Sequence, residues 1–402
     1  MVGNYSLSTK RPKAAQKKPT KPAKPYSDFP LFPHATRRWA KKIRGKFHYF
    51  GPWNDPDAAL AKYLAEKDYL LAGKQPPPQN VDGMTVTDLC NKFLTAKTQL
   101  VNTNELRPRS WKDYHRTSER LIAALPKWRL VDDLSVEDFK QLRTILAKTH
   151  GPVALGNEIQ RVRSIFKFAY EEGLIDKPIR YGQSFKKPTR KTLRIQRARK
   201  IAKHGKRMFQ PDELRTMIDT AGHHLKAMIL LGVNCGLGNH DCGELPISAL
   251  DLNGGWIDYA RVKTGVQRRC PLWPETVAAL RDSLAKRPTP KHPDDADLVF
   301  VTKYGKCWTR TYGDGSPDDA IGKETAKLLH RLKLKRYGVG FYALRHTFET
   351  IGGESRDQVA VDQIMGHIRD DMASVYREGI SDERLLAVTN TVRSWCFPQT
   401  SA

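Results

Sequence analysis

Between Lys186 and Arg207 the chain carries eleven lysines and arginines and not one acidic residue. No hydrophobic core can be built from such a run, so it separates the chain into bodies that must fold on either side of it. Like charges this dense predict an extended, mobile linker in the free protein that orders against phosphates when a polyanion binds. The overall charge points the same way. A formal net charge of +26 over 402 residues repels itself in a compact state unless an anionic partner offsets it, which makes nucleic acid the natural partner. An acidic membrane surface is the competing partner, but no apolar run approaches the roughly 20 residues needed to span a bilayer. Met1 to Pro25 contains no apolar signal-peptide core either. The expected location is cytoplasmic.

Around the basic run the chain divides into four further segments, and the predicted fold is mostly α with small β-sheets, an α+β chain. Residues 1–28, rich in Lys, Pro, Ala and Thr, read as a disordered basic tail. In residues 29–75, two short aromatic and β-branched runs flank Gly45 as a β-hairpin, and Asp55 to Ala72 reads as a capped amphipathic helix. A β-ribbon can enter a DNA groove, and Lys41, Arg44 and Lys46 are its candidate contacts. Pro76, Pro77 and Pro78 mark a linker, since none of them fits a helix interior. Residues 84–182 carry helical apolar spacing, for example Ile159, Val162, Ile165, Phe166 and Ala169, and predict four or five helices. Candidate phosphate contacts there are Lys112, Arg116, Arg161, Arg163 and Lys167; in the basic linker, 183–207, they are Lys187, Arg190 and Arg194. Residues 208–396 form the last predicted domain. The six cysteines include no C-x-x-C pair and read as reduced thiols rather than a zinc site. His223 and His224 are neighbours that would point about 100° apart on a helix, so a surface pair is expected rather than a metal site.

The chemistry is concentrated near the end. Leu344-Arg345-His346-Thr347-Phe348 is followed by Met365-Gly366-His367 and then by Tyr376. Arginine holds two phosphate oxygens with a planar fork and stays charged. Histidine exchanges a proton near neutrality. A tyrosine hydroxyl can attack phosphorus and conserve the broken bond as an ester, dividing one hard displacement into two easier ones. Such chemistry calls for neither ATP nor a metal.

Arg345, His367 and Tyr376, with spacings of 22 and 9 residues, resemble the second conserved box of the tyrosine recombinase, or phage integrase, family. The flanking words "ALRHTFET", "IMGH" and "SVYRE" match too. The resemblance implies a helical core-binding domain at 84–182 and a mixed α/β catalytic domain at 208–396. An arm-type module would precede them, and the basic linker would let two domains close around a duplex. It also implies cofactor-free strand exchange on double-stranded DNA by a homotetramer, with an accessory DNA-bending or directionality protein as a further partner. Tyr376 would be the nucleophile and Lys263, in the turn of a predicted hairpin, the general acid, with Arg261 as the alternative. Tyr342 stands where the family usually has histidine, and His346 would pack within its helix. A last helix, Leu385 to Trp395, would dock on a neighbouring subunit.

One segment departs from the pattern. Where the family has G-L-R-x-x-E-L, the chain reads Gly236-Leu237-Gly238-Asn239-His240-Asp241-Cys242-Gly243-Glu244-Leu245. Gly238 replaces the arginine in one register and Asp241 in the other. Asn239, His240 or the backbone at Gly238 would have to supply substitute donors. Two rivals follow: a degenerate recombinase that only binds DNA, and a type IB topoisomerase-like enzyme.

Overall fold

The computed structural model describes residues 20–73, 83–125, 129–313, 315–368, 372 and 376–398. Three strands, β1 (Phe32–His34), β2 (Arg38–Ile43) and β3 (Lys46–Pro52), pair antiparallel in that order. The β2–β3 turn places Arg44 at φ 49° and Gly45 at φ 82°, the doubly left-handed backbone of a tight hairpin turn. Alternation turns Trp39, Ile43 and Phe50 inward onto α1 (Pro56–Leu71), which Asp55 caps by accepting from the Ala58 N–H at 2.9 Å. The hairpin and helix lie where the sequence placed them; β1 is additional. Of the predicted tail, residues 1–19 lie outside the described residues, whereas Tyr26 already packs edge-on to Phe29. The proline linker, 74–82, also lies outside them.

Four helices make the next body: α2 (Val86–Asn102), α3 (Pro108–Ala124), α4 (Val136–Thr149) and α5 (Pro152–Glu171). Phe93, Leu121, Phe139, Leu142, Ile159, Val162 and Phe166 fill its core. Buried Glu158 is held by Thr117 and by Arg120 and Arg161, whose charges satisfy a carboxylate that burial would otherwise penalise.

The basic linker corrects the sequence expectation. Arg190–His204 is a helix, α6, not an extended segment, and none of its residues is buried. Thr189 caps it, and its Arg, Lys, Gln, Leu and Ala residues are good helix formers, so local propensity outweighs like-charge repulsion that solvent screens.

Beyond it, α7 (Pro211–Thr220) and the buried α8 (His223–Asn234) lead to the short α9 (Asn239–Gly243). A three-stranded antiparallel sheet follows, β4 (Leu250–Asp251), β5 (Trp256–Asp258) and β6 (Arg269–Pro271), then α10 (Pro274–Ala285). Next come the β7 (Thr309–Thr311) and β8 (Pro317–Asp319) pair, α11 (Ala320–Arg331), α12 (Ala343–Gly352), α13 (Gln358–Met365) and α14 (Asp382–Cys396). The surface pair expected at His223 and His224 is not found. His224 is buried, with Nδ1 2.7 Å from Ser283 Oγ on α10, and burial lowers its pKa to about 4. The last helix also differs, because α14 packs on its own chain. Leu385, Val388 and Val392 join the domain core, and Trp273 Nε1 donates to the Thr389 carbonyl. No described helix is long and apolar enough to cross a membrane.

Candidate active site

Arg345 lies in the first turn of α12, on the face that carries Leu344 and Phe348 into the core, and is only 2 % exposed. Its Nη1 donates to the Gly236 carbonyl at 2.5 Å, and Nη2 donates to the Met365 carbonyl at 2.7 Å. One guanidinium thus ties the α8–α9 bend to the end of α13. Burial, and next the charge of Arg261, lower its pKa to about 10, which leaves it charged at neutrality.

Gly366 ends α13 in the left-handed conformation, φ 63°. The reversal lets the His367 N–H donate to the Asp362 carbonyl at 2.9 Å, which folds the imidazole back over the last turn. There Nδ1 lies 3.2 Å from Asp362 Oδ1 and 3.9 Å from Glu349 Oε2, and Nε2 lies 3.0 Å from Arg345 Nη2. Carboxylates on the Nδ1 side favour the tautomer protonated there, which leaves the Nε2 lone pair facing the arginine. Glu349, Asp362 and His367 also bring three metal-ligand types of atom within 4.8 Å of one another, a spacing that the orientation of the imidazole by two carboxylates already explains.

Tyr376 is 77 % exposed. The residues after it, Arg377 and Glu378, line a cleft of about 390 Å³ that also has Gln267, Asp362 and His367 in its wall. Lys263 is exposed at the tip of a turn whose base is anchored to the same place. Arg261 Nη1 and Thr264 Oγ1 both donate to the Gly366 carbonyl, at 3.2 and 3.1 Å. On its outer side, Arg107 at the start of α3 donates to the Val262 carbonyl.

A second wall, joined to Arg345 through the Gly236 carbonyl, holds the segment without its arginine. Gly236, at φ 64°, breaks α8 from α9. The Gly238 N–H donates to Asp241 Oδ2 at 2.8 Å, and Asp241 Oδ1 accepts from Arg268 Nη2 at 3.2 Å. The two polar residues expected to substitute are engaged elsewhere: Asn239 Nδ2 donates to Asp319, and His240 lies 3.7 Å from Glu244. Tyr342, half exposed, covers Gly238 and meets the His346 ring edge-on at 5.5 Å. His346 is exposed rather than packed, since position 346 falls on the outer face of α12 while 345, 347 and 348 face inward. Sequence reasoning missed Arg268 and Asp362. Arg268 sat in an ordinary strand word, and Asp362 is connected to His367 only by the helix reversal.

Among the sequence candidates for DNA contact, Lys187, Arg190 and Arg194 are exposed, on or just before α6, and Arg116 is exposed on α3, where Lys112 is half-buried. Arg44 and Lys46 are exposed at the hairpin turn, and Lys41 lies over the Tyr63 ring. Arg161 is occupied by Glu158 and Asp113, Arg163 stacks on Tyr181, and Lys167 pairs with Glu171.

No curated protein matches the chain in sequence. Its fold is similar to that of the Tn1549 transposon integrase solved with transposon right end DNA, at a TM-score of 0.54 and 15 % identity over 77 % of this chain and 100 % of that one. It is also similar to lambda integrase, solved as a tetramer bound to a Holliday junction, at a TM-score of 0.52 and 14 % identity over 89 % of this chain and 98 % of that one. The phage integrase family model matches residues 207–381, the stretch that holds Gly238, Arg261, Lys263, Arg268, Tyr342, Arg345, Asp362, His367 and Tyr376. Residues 207–381 of this chain thus match the phage integrase family.

Proposed function

We propose that the protein is a site-specific DNA recombinase that cuts and rejoins strands through a 3′-phosphotyrosine. The observation that carries this reading is the continuous contact from Arg345 through His367 to Asp362, in the wall of a cleft that Arg377 and Glu378, next in sequence to an exposed Tyr376, also line. Arg345 holds the nonbridging oxygens of the scissile phosphate, where fixed donors stabilise the charge of the transition state. The Tyr376 oxygen attacks phosphorus, the bond to the 5′ oxygen breaks, and Lys263 protonates that oxygen as it leaves. His367 assists proton movement at the phosphate, and Tyr342 adds a phenol donor. In the second step a 5′ hydroxyl of a partner strand attacks the phosphotyrosine and releases Tyr376.

Double-stranded DNA is the partner that a charge of +26 and the exposed α6 fit. A homotetramer holding two duplexes is the working assembly in this reading, as the lambda integrase tetramer suggests by analogy. A DNA-binding relic is the second reading, favoured by Gly238 standing in place of an arginine.

The test is trapping on nicked DNA that carries the native site. The wild type should form a denaturant-resistant protein–DNA adduct, and Tyr376→Phe should abolish it. An adduct that survives in Tyr376→Phe and disappears in Tyr342→Phe moves the nucleophile to Tyr342. No adduct on any fragment bound specifically leaves only the relic.

A further inference from the structure

Gly238 leaves the site one cation short, and the facing hairpin brings two. Gly366 is where they meet: a Cβ there would lie 2.8 Å from Arg268 Cδ, 2.9 Å from Arg261 Cβ and 3.1 Å from Arg261 Cδ. Arg261 donates to the Gly366 carbonyl, and Arg345 donates to the carbonyl just before it, at Met365. Two guanidiniums therefore bind successive carbonyls of one turn, immediately before His367. Arg268 comes in beneath them, 4 % exposed, with Nε on the Tyr259 carbonyl at 3.0 Å and Nη2 on Asp241. Its Nη1 is buried without a hydrogen-bond partner.

Of the three arginines around this turn only Arg268 pairs with a carboxylate, Asp241, so the guanidiniums of Arg261 and Arg345 meet backbone carbonyls rather than a neutralising charge. Like charges in a partly desolvated space are costly to hold together unless an anion joins them. Arg261 is the largest charge acting on Arg345. It is also placed differently from Lys263. The Arg261 N–H donates to the Val266 carbonyl, and its own carbonyl accepts from Thr264 and Gly265. Arg261 thus stands at the half-buried base of the turn, and Lys263 at its exposed tip.

We propose that Arg261 is the second guanidinium on the scissile phosphate, filling the role left vacant at Gly238, while the Arg268–Asp241 ion pair fixes the hairpin that carries it. The inference rests on the strand-cutting reading above. It divides the hairpin's cations by position: the base neutralises nonbridging oxygens, and the tip serves the leaving oxygen.

The experiment uses the full chain and two nicked substrates, one with an ordinary scissile phosphodiester and one with a neutral methylphosphonate there. On the phosphodiester, Arg261→Ala should slow adduct formation about a hundredfold, the usual scale for one donor aimed at transition-state charge. DNA affinity should change only severalfold. On the methylphosphonate the penalty should shrink to less than about tenfold, because the charge to be neutralised has been removed. Arg261→Gln keeps a donor for the Gly366 carbonyl and should show the same charge-selective loss, which separates charge from folding. Wild-type cleavage matched by both variants, or an equal penalty on the two substrates, overturns the inference and leaves the strand-cutting reading intact. No adduct from the wild type overturns both.

Discussion

On one wall of the site, Arg345 reaches two carbonyls and His367, and Asp362 holds the histidine from behind. On the other, Gly238 offers only a backbone N–H to Asp241, and the cations beside it come from a hairpin. Apart from the Gly236 carbonyl, the first wall is built from sequence neighbours, α12, α13 and the Gly366 reversal, and each contact constrains the next. The second is assembled from segments far apart in the chain. The difference teaches that a site can keep its charge while losing the residue that usually brings it, provided that another element reaches the same turn.

The largest effect should come from the first wall. Arg345→Ala should lower adduct formation by about 10²–10³-fold in single-turnover trapping, the scale for losing a transition-state donor. It should also lower the thermal midpoint, because the Gly236 and Met365 carbonyls lose a buried partner. A loss of only severalfold would mean that the two walls are less unequal than their hydrogen bonds imply.

Asp362→Ala comes next. Without that carboxylate the imidazole loses what orients its tautomer, and cleavage should slow by about tenfold or more, within the range attributed to a positioned proton carrier. DNA affinity should be unchanged in a filter or gel-shift assay.

The exposed α6 separates affinity from chemistry. Arg190→Ala combined with Arg194→Ala should weaken binding to any duplex and reduce the salt slope by about two, one for each phosphate no longer neutralised. Cleavage at saturating protein should be unaltered. A changed rate with an unchanged salt slope would place these arginines in the site instead.

The smallest effects belong to the second wall. Asn239→Ala and His240→Ala should change cleavage less than about threefold, since Asp319 and Glu244 already engage those side chains. The Glu244 carboxylate, 3.7 Å away, raises the pKa of His240 above its ordinary value. A base with a raised folded pKa contributes stability that is full below its unfolded value and is lost as pH rises through the folded one. Thermal midpoints at pH 6 and pH 8 should therefore fall slightly more for the wild type than for His240→Ala. The half-exposed pair keeps that difference small. A larger effect of either variant on cleavage would return the substitute donors to α9.

Much of this was legible in the residues. Arg345 and His367, which the fold brings into contact, could be singled out because their chemistry is carried by residue type and order. The first hairpin and α1 could be found because apolar alternation, Gly45 and the Asp55 cap are local signals. What the sequence hid depends on contacts made at a distance. The exposed faces of α6 gave no periodic signal, so its charge was read as extension when its propensity favoured a helix. His224 is buried because α10 supplies Ser283, and α14 packs in cis because Leu385, Val388 and Val392 find their own domain's core. Arg261 was legible only as the alternative to Lys263, and Arg268 as an ordinary strand residue, until Gly366 brought Arg345 beside them.

The central claim is that Tyr376 becomes joined to DNA at this site. The most direct measurement is to trap the wild-type adduct on a nicked native site, digest protein and DNA, and identify by mass spectrometry the peptide that carries the residual nucleotide. The account predicts a 3′-phosphonucleotide on Tyr376 alone. The same modification on Tyr342 or any other residue, or no modified peptide from specifically bound DNA, would contradict it.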